Sequence, residues 1–525
     1  MDTNSDRTKD AGTRRASPAI ELIGIDKRFG PVRANRAVSL NIARGSIHGI
    51  IGENGAGKST LMSILYGYYQ ADAGEIRVGG QPKRIATPQD AIAAGIGMVH
   101  QHFMLVDNLT VLENILLGAE GGVLLAPGLA RARELLARLE KDYGLEVDPD
   151  AIVGELPVGL QQRVEILKAL FRGADVLILD EPTAVLAPQE ADHLFNILRS
   201  LKAQGKTVVL ITHKLREVLA VTDTVTVMRA GAVVATLPTS EATRERLAEL
   251  MVGRKVLLRV AKEAAKPGAT VLEVDKLRVA DRAGRALVDD VSFAVRAGEI
   301  VGIAGVAGNG QSELLEALAG ILPIAGGRIC FKGRDVTGDP AHRSARAMRA
   351  LGLGHVPEDR LRRGLVPVFE ANESAILGFH DDTRYNGPIL MHRGDIVREC
   401  ERLMNSYDVR PRAAHLRTAA FSGGNQQKLV LGREIDRNPD MLLVGQPTRG
   451  VDIGAIEFIH RRLVELRDAG KAILLVSVEL DEILALADRI LVMFGGRIVG
   501  EMAGGAVDER AIGLLMTGGA GKAAA

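Results

Sequence analysis

GENGAGKST at residues 52–60 and GVAGNGQSE at residues 305–313 decide how this chain is to be read. The first fits G-x-x-x-x-G-K-[ST], a loop whose backbone N–H groups wrap a nucleotide's phosphates. Its lysine reaches the terminal phosphates and its hydroxyl reaches magnesium. Gly52, Glu53, Asn54, Gly55, Ala56, Gly57, Lys58, Ser59 and Thr60 are therefore candidate nucleotide-binding residues, with ATP and Mg2+ as expected ligands. The second loop keeps glycines and a serine but has Gln311 where the lysine belongs. A chain that carries this site twice, once without its main charge, is expected to be an ATPase with two unequal halves.

The duplication has a register. Lys58 pairs with Gln311 and Gly45 with Gly298, both 253 apart (311 − 58). VGLQQRVEILKAL (158–170) pairs with GGNQQKLVLGREI (423–435) at an offset of 265 (423 − 158). The larger offset carries Asp180 to Gly445, Glu181 to Gln446 and His213 to Val478. Twelve extra residues (265 − 253) must enter between the phosphate loop and the QQ segment, where a helical insertion is expected.

Within each half, short apolar runs alternate with amphipathic stretches. SIHGIIG (46–52), DVLILD (175–180) and KTVVLIT (206–212) read as buried strands, and ARARELLARLEKDYG (130–144) has helical spacing. Such alternation predicts an α/β fold with a mainly parallel sheet and ligands at the strands' C-terminal ends. Residues 18–255 form the expected first domain and 269–517 the second. A linker at 256–268 contains Pro267 and Gly268, and the polar tails 1–17 and 518–525 are expected to be disordered.

Composition narrows the function. Lys+Arg 66 against Asp+Glu 65 leaves +1, which gives no bulk electrostatic case for nucleic acid. Two distant cysteines, Cys330 and Cys400, fit a reducing compartment without a disulfide framework or zinc site. The N-terminus lacks the apolar core of a secretory signal, and no apolar run approaches the roughly eighteen residues of a membrane span. A cytosolic protein that docks on a membrane partner is consistent with all of this.

Around the first loop, several residues have candidate roles. Lys58, Ser59 and Thr60 open a helix after strand SIHGIIG, so that helix's N-terminus also faces the phosphates. VLILDEP (176–182) ends in two acids: Asp180 would hold magnesium, partly through water, and Glu181 would polarise the attacking water. Adjacent acids after a strand are usually only a solvated loop. Their place 122 residues after Lys58 (180 − 58), before Pro182-Thr183, favours the catalytic reading. His213 ends strand KTVVLIT, where it could contact the terminal phosphate and the water, although a lone histidine is more often a packing residue. Gln101 in MVHQHF could join Ser59 and Asp180 in the metal–water shell. Phe29 in KRFG could stack on adenine or could be an ordinary core side chain, and the sequence leaves both open.

SGGNQQK (422–428) and its counterpart LPVGLQQR (156–163) resemble the signature segments of ATP-binding cassette (ABC) ATPases. With both phosphate loops, DEPT and the histidine, the resemblance covers nearly the whole chain. It implies two phosphate-loop cassettes, each a mainly parallel sheet with an antiparallel β subdomain and a helical subdomain, packed head to tail. Each ATP would then lie between one cassette's phosphate loop and the other's signature helix, whose serine and glycine amides hold the terminal phosphate. One composite site would combine Lys58, Ser59, Gln101, Asp180, Glu181 and His213 with Ser422, Gly423 and Gly424. The other would combine Gln311, Glu358 in place of the glutamine, Gly445, Gln446 and Val478 with Pro157 and Val158, so that only the first hydrolyses ATP.

A finer resemblance is to the fused ATPase subunits of bacterial nucleoside and simple-sugar importers, with GNGQSE and QPTRGVDIGAIEFIH nearest the nucleoside branch. It implies a peripheral protein on the cytoplasmic face of the inner membrane. Its partners would be two permease subunits and an external substrate-binding (lipo)protein, with neither nucleic acid nor a disulfide-linked partner. The alternatives are a sugar importer, or a soluble twin-cassette ATPase acting on ribosomes. Twin-cassette proteins that act on ribosomes generally carry a long charged connector and two competent sites.

Overall fold

The computed structural model describes residues 18–30, 32–100, 103–119, 125–183, 186, 188–255, 262–306, 308–338, 344–451, 453–505, 509–516 and 518. Gln101, the tails 1–17 and 519–525, and linker residues 256–261 lie outside the described residues. The chain divides into two compact units, Met1–Lys255 and Val256–Ala525.

In the first unit, strands SIHGIIG, DVLILD and KTVVLIT appear as Ile47–Ile51, Val176–Asp180 and Thr207–Thr212, buried along their whole lengths. Side chains covered on both faces explain why these strands are continuous apolar runs instead of alternating ones. The six-stranded sheet runs Ala232–Pro238, Thr224–Arg229, Ile47–Ile51, Thr207–Thr212, Val176–Asp180, Ile96–Val99. Every pairing is parallel except the outermost, between Ala232–Pro238 and Thr224–Arg229. Register places Ile51 beside Thr212 and Asp180 beside Ile211. The segments that leave these strands, at Gly52, Glu181 and His213, therefore emerge together at one edge.

Two apolar clusters cover the sheet. One joins Ile50, Ile178 and Ile211 to Leu61 of the phosphate-loop helix and to Ile20 and Leu40 of a four-stranded antiparallel sheet. The other joins Ile47, Leu177 and Leu210 to Val164 and Leu136 of a helical layer. That layer contains the helix expected at 130–144, found at Leu125–Tyr143, and the first signature helix, Val158–Phe171.

The second unit repeats both sheets, ordered Ala286–Arg296, Thr270–Ala280, Gly326–Phe331, Arg334–Asp335 and Leu353–Val356, Met441–Gly445, Ala472–Ser477, Ile300–Ala304, Arg489–Phe494, Arg497–Ala503. Lys262 fastens the segment ahead of Thr270 to this unit, donating to Leu486 O at 2.8 Å and Ala487 O at 2.7 Å and pairing with Asp488 at 2.9 Å.

Sheet register also locates the twelve extra residues. Ile96 corresponds to Leu353, an offset of 257, because each begins the strand paired with Val176 or Met441. The helix-capping boxes Thr110–Glu113 and Glu370–Glu373 correspond at 260. The insertion is thus not a single helical one: four residues precede the strand, three follow it, and five lie beyond the capping box. The three fall where the second unit builds a turn at Arg360–Gly364.

Candidate active site

The first phosphate loop is shaped by what its backbone must avoid. Gly57 caps helix Lys58–Leu65 with φ 94°, and a side chain there would collide with the carbonyl of Ala34. Glycine alone meets both demands without strain. Asn35, fully buried, donates from Nδ2 to Gly57 O at 3.1 Å and so braces the loop from beneath. Lys58 is itself buried and folds over the loop, donating to Gly52 O at 2.7 Å and Glu53 O at 3.1 Å. Burial lowers the Lys58 ammonium below its ordinary value, against the opposing pull of Glu181, Asp180 and Glu53.

At the end of strand Val176–Asp180, the buried Asp180 carboxylate accepts a hydrogen bond from Ser59, while its Oδ1 has no hydrogen-bond partner. Burial, helped by the charge of Glu181, raises its carboxyl above the ordinary range. A buried, half-satisfied carboxylate beside the Ser59 hydroxyl is the donor set expected for the hydrated magnesium of a nucleotide, so the residues present fit that ion.

Glu181 follows with φ 48°, and its N–H donates to Ile211 O at 2.9 Å. Its Oε1 lies 2.9 Å from His213 Nδ1. Burial alone would raise the Glu181 carboxyl. The His213 hydrogen bond and the charges of His213, Lys58 and Lys214 outweigh it and hold the group below its ordinary value. The result is a carboxylate that stays ionised and is aimed by a histidine, as a water-orienting base requires.

Glu217 contributes a support that the sequence reading did not identify. It is buried and accepts hydrogen bonds from Thr183 Oγ1 and, at 2.9 Å, from Thr212 Oγ1. This ties the segment after Glu181 to the strand before His213. Residues 34 positions apart in sequence carried no spacing signal for it. Phe29 is not a core side chain: it is 42% exposed, edge-on to Tyr69 at 5.1 Å, with Lys27 Nζ 5.4 Å from its ring centre.

The second phosphate loop keeps the backbone of the first. Gly308 and Gly310 have φ 87° and 99°, against 82° and 94° at Gly55 and Gly57. Gln446 even repeats the positive φ of Glu181, at 46°. The side chains diverge. Gln311 Nε2 donates to Val306 O at 3.0 Å, and Gln446 Oε1 accepts from Val478 N at 3.3 Å, where the first unit has the glutamate–histidine pair.

Glu358 follows strand Leu353–Val356 as Gln101 follows its own strand, and it accepts the Ser312 hydroxyl. A methyl group on Gly445 would sit 2.5 Å from Glu358 Cγ. The glutamate thus occupies the space that the missing aspartate would need and takes over its serine. Burial raises the Glu358 carboxyl.

Ser422 caps the second signature helix, Gly423–Ile435, and its Oγ accepts from Asn425 Nδ2 at 2.8 Å. Gly423 is partly exposed and Gly424 buried. In the first unit Pro157 stands at the corresponding cap, offering no side-chain hydrogen bond.

A phosphate loop, a strand-end carboxylate pair and a histidine on adjoining strand ends define a phosphate-loop nucleoside triphosphatase, here present twice with unequal chemistry. The family model described as ABC transporter matches residues 35–184 and 288–449. Guanosine import ATP-binding protein NupO of Bacillus subtilis (strain 168) is 47% identical over 95% of this chain and 97% of its own length. Nucleoside import ATP-binding protein NupA of Lactococcus lactis subsp. cremoris (strain MG1363) is 46% identical over 95% and 98%. Ribose import ATP-binding protein RbsA 1 of Rubrobacter xylanophilus (strain DSM 9941 / JCM 11954 / NBRC 16129 / PRD-1) is 41% identical over 95% and 98%. The chain belongs to the ABC transporter ATP-binding family, with two cassettes, and is an ATPase that binds ATP.

Proposed function

We propose that this chain is the ATP-hydrolysing subunit of a bacterial importer for nucleosides, and that the nucleotide held by Lys58 is the one it cleaves. The observation that carries the catalytic reading is the Glu181–His213 pair beside Lys58 and Asp180, set against Gln446, Val478, Gln311 and Gly445 at the matching positions. Gly52 to Thr60 hold the phosphates and Phe29 lies against the base. Ser422, Gly423 and Gly424 supply the hydroxyl and amides that complete the site once ATP is bound.

Magnesium, held from Ser59, Gln101 and Asp180 in part through water, would neutralise charge on the phosphates. Glu181 orients the attacking water and accepts its proton as oxygen bonds to the terminal phosphorus and the bond to the bridging oxygen of ADP breaks. His213 holds Glu181 in place and reaches the terminal phosphate. Lys58 balances the negative charge that spreads over the transferred group.

The nucleoside assignment is supported by the guanosine and nucleoside import relatives. Two inner-membrane permeases and an external binding protein would be its partners, with this chain peripheral on the cytoplasmic face. Among the described residues no helix is long and apolar enough to cross a membrane. A ribose import relative at 41% identity keeps sugar as the second reading. Uptake by the reconstituted importer, with nucleosides and pentoses in competition, separates the two. Nucleoside-only uptake supports the proposal, and pentose-only uptake overturns its substrate.

A further inference from the structure

The segment after strand Leu353–Val356, longer by three residues than in the first unit, builds a turn, Arg360–Gly364, that touches two functional elements of the second unit. One end is fixed to the second phosphate loop and its helix, Gln311–Leu318. Glu358 accepts from Ser312, and Arg363 pairs with Glu316 at 3.1 Å. Asp359 caps the turn, accepting from Leu361 N at 3.1 Å and Arg362 N at 3.0 Å.

The other end is fixed to the signature helix. Arg360 donates from Nε to Gln426 Oε1 at 3.2 Å and from Nη1 to Arg449 O at 2.8 Å, while Arg433 Nη1 donates to Gly364 O at 2.8 Å. Arg360 Nη2 also lies so close over Gly423 that a side chain there would collide with it. A planar guanidinium with several donors suits this bridging role, because it can hold a helix N-terminus and a neighbouring loop at once. The first unit is three residues shorter at this place, and its residues 100–109 include no arginine or lysine.

We infer that Arg360 is a positioning residue for ATP turnover: it sets the signature helix N-terminus, and Glu358 anchors the same turn to the degenerate phosphate loop. That loop thereby keeps a role without a lysine or a base. The inference rests on the proposed part of Ser422, Gly423 and Gly424 in holding the hydrolysed ATP.

Steady-state ATP turnover of the full chain tests it, with thermal unfolding of each variant alongside. Arg360→Gln is expected to raise KM for ATP by about tenfold and also to lower kcat, and Arg360→Lys to fall between it and the parent. Glu358→Ala should shift KM the same way, and the double variant should be no worse than the worse single one. A merely structural role would lower kcat in proportion to lost folded protein and leave KM unchanged, which would overturn the inference. Gly424→Asp separates the two readings. If it abolishes turnover while Arg360→Gln leaves KM unchanged, only the role of Arg360 fails. If Gly424→Asp is harmless, the signature reading and this inference fail together.

Discussion

Glu181 shows how burial and partners compete at a single carboxylate. Its depressed pKa, held by His213 and the nearby cations, keeps it ionised to lower pH than an ordinary glutamate. The same depression adds stability that is fully present above the unfolded value and is lost as pH falls through the folded one. Glu181→Gln should lower kcat by about a thousandfold while ATP still binds, as measured by single-turnover hydrolysis beside nucleotide titration. His213→Ala removes the hydrogen bond but not the burial, so the acid limb of the kcat–pH profile should move to higher pH. Asp180 has the opposite sign. Its raised pKa means that ionising it costs the folded state, a cost absent below the unfolded value and complete above the folded one. Asp180→Asn should therefore raise the unfolding midpoint at neutral pH without nucleotide, by about 2 °C or more, and erase the extra stabilisation given by magnesium with ATP. The sequence made Asp180, Glu181 and His213 legible because each ends an apolar strand. It did not reveal that Glu358 fills the space beside Gly445, since residues 87 apart (445 − 358) meet only when two strands pair.

At the scale of elements, strands were the clearest signal and insertions the poorest. A continuous apolar run bounded by glycine or polar residues specifies a doubly covered strand almost by itself, and 47–51, 176–180 and 207–212 each lie within one residue of the expected ends. Two offsets, by contrast, fix only the total length between two motifs. The division into four, three and five residues needed the register of the sheet and the capping boxes. The loop backbone is retained in both units where its chemistry is not, which implies that glycine at the cap serves conformation first. Gly57→Ala and Gly310→Ala should each cost about 1–3 kcal/mol of stability, read from denaturant unfolding, because each forces a left-handed residue against a carbonyl.

For the molecule as a whole, the inequality of the two units is the main functional statement. The second unit has lost the lysine, the aspartate, the base and the histidine at matching positions, yet it keeps the phosphate-loop backbone, one relocated carboxylate and the intact Ser422-Gly423-Gly424 signature. These departures, with the second signature spared, accord with the proposal that the nucleotide held by Lys58 is the one cleaved. The most direct test is the steady-state ATPase rate of Lys58→Ala beside that of Gln311→Ala, in full-length protein of matched thermal stability. The account predicts that Lys58→Ala abolishes turnover while Gln311→Ala keeps most of it. Equal damage from the two substitutions would contradict it.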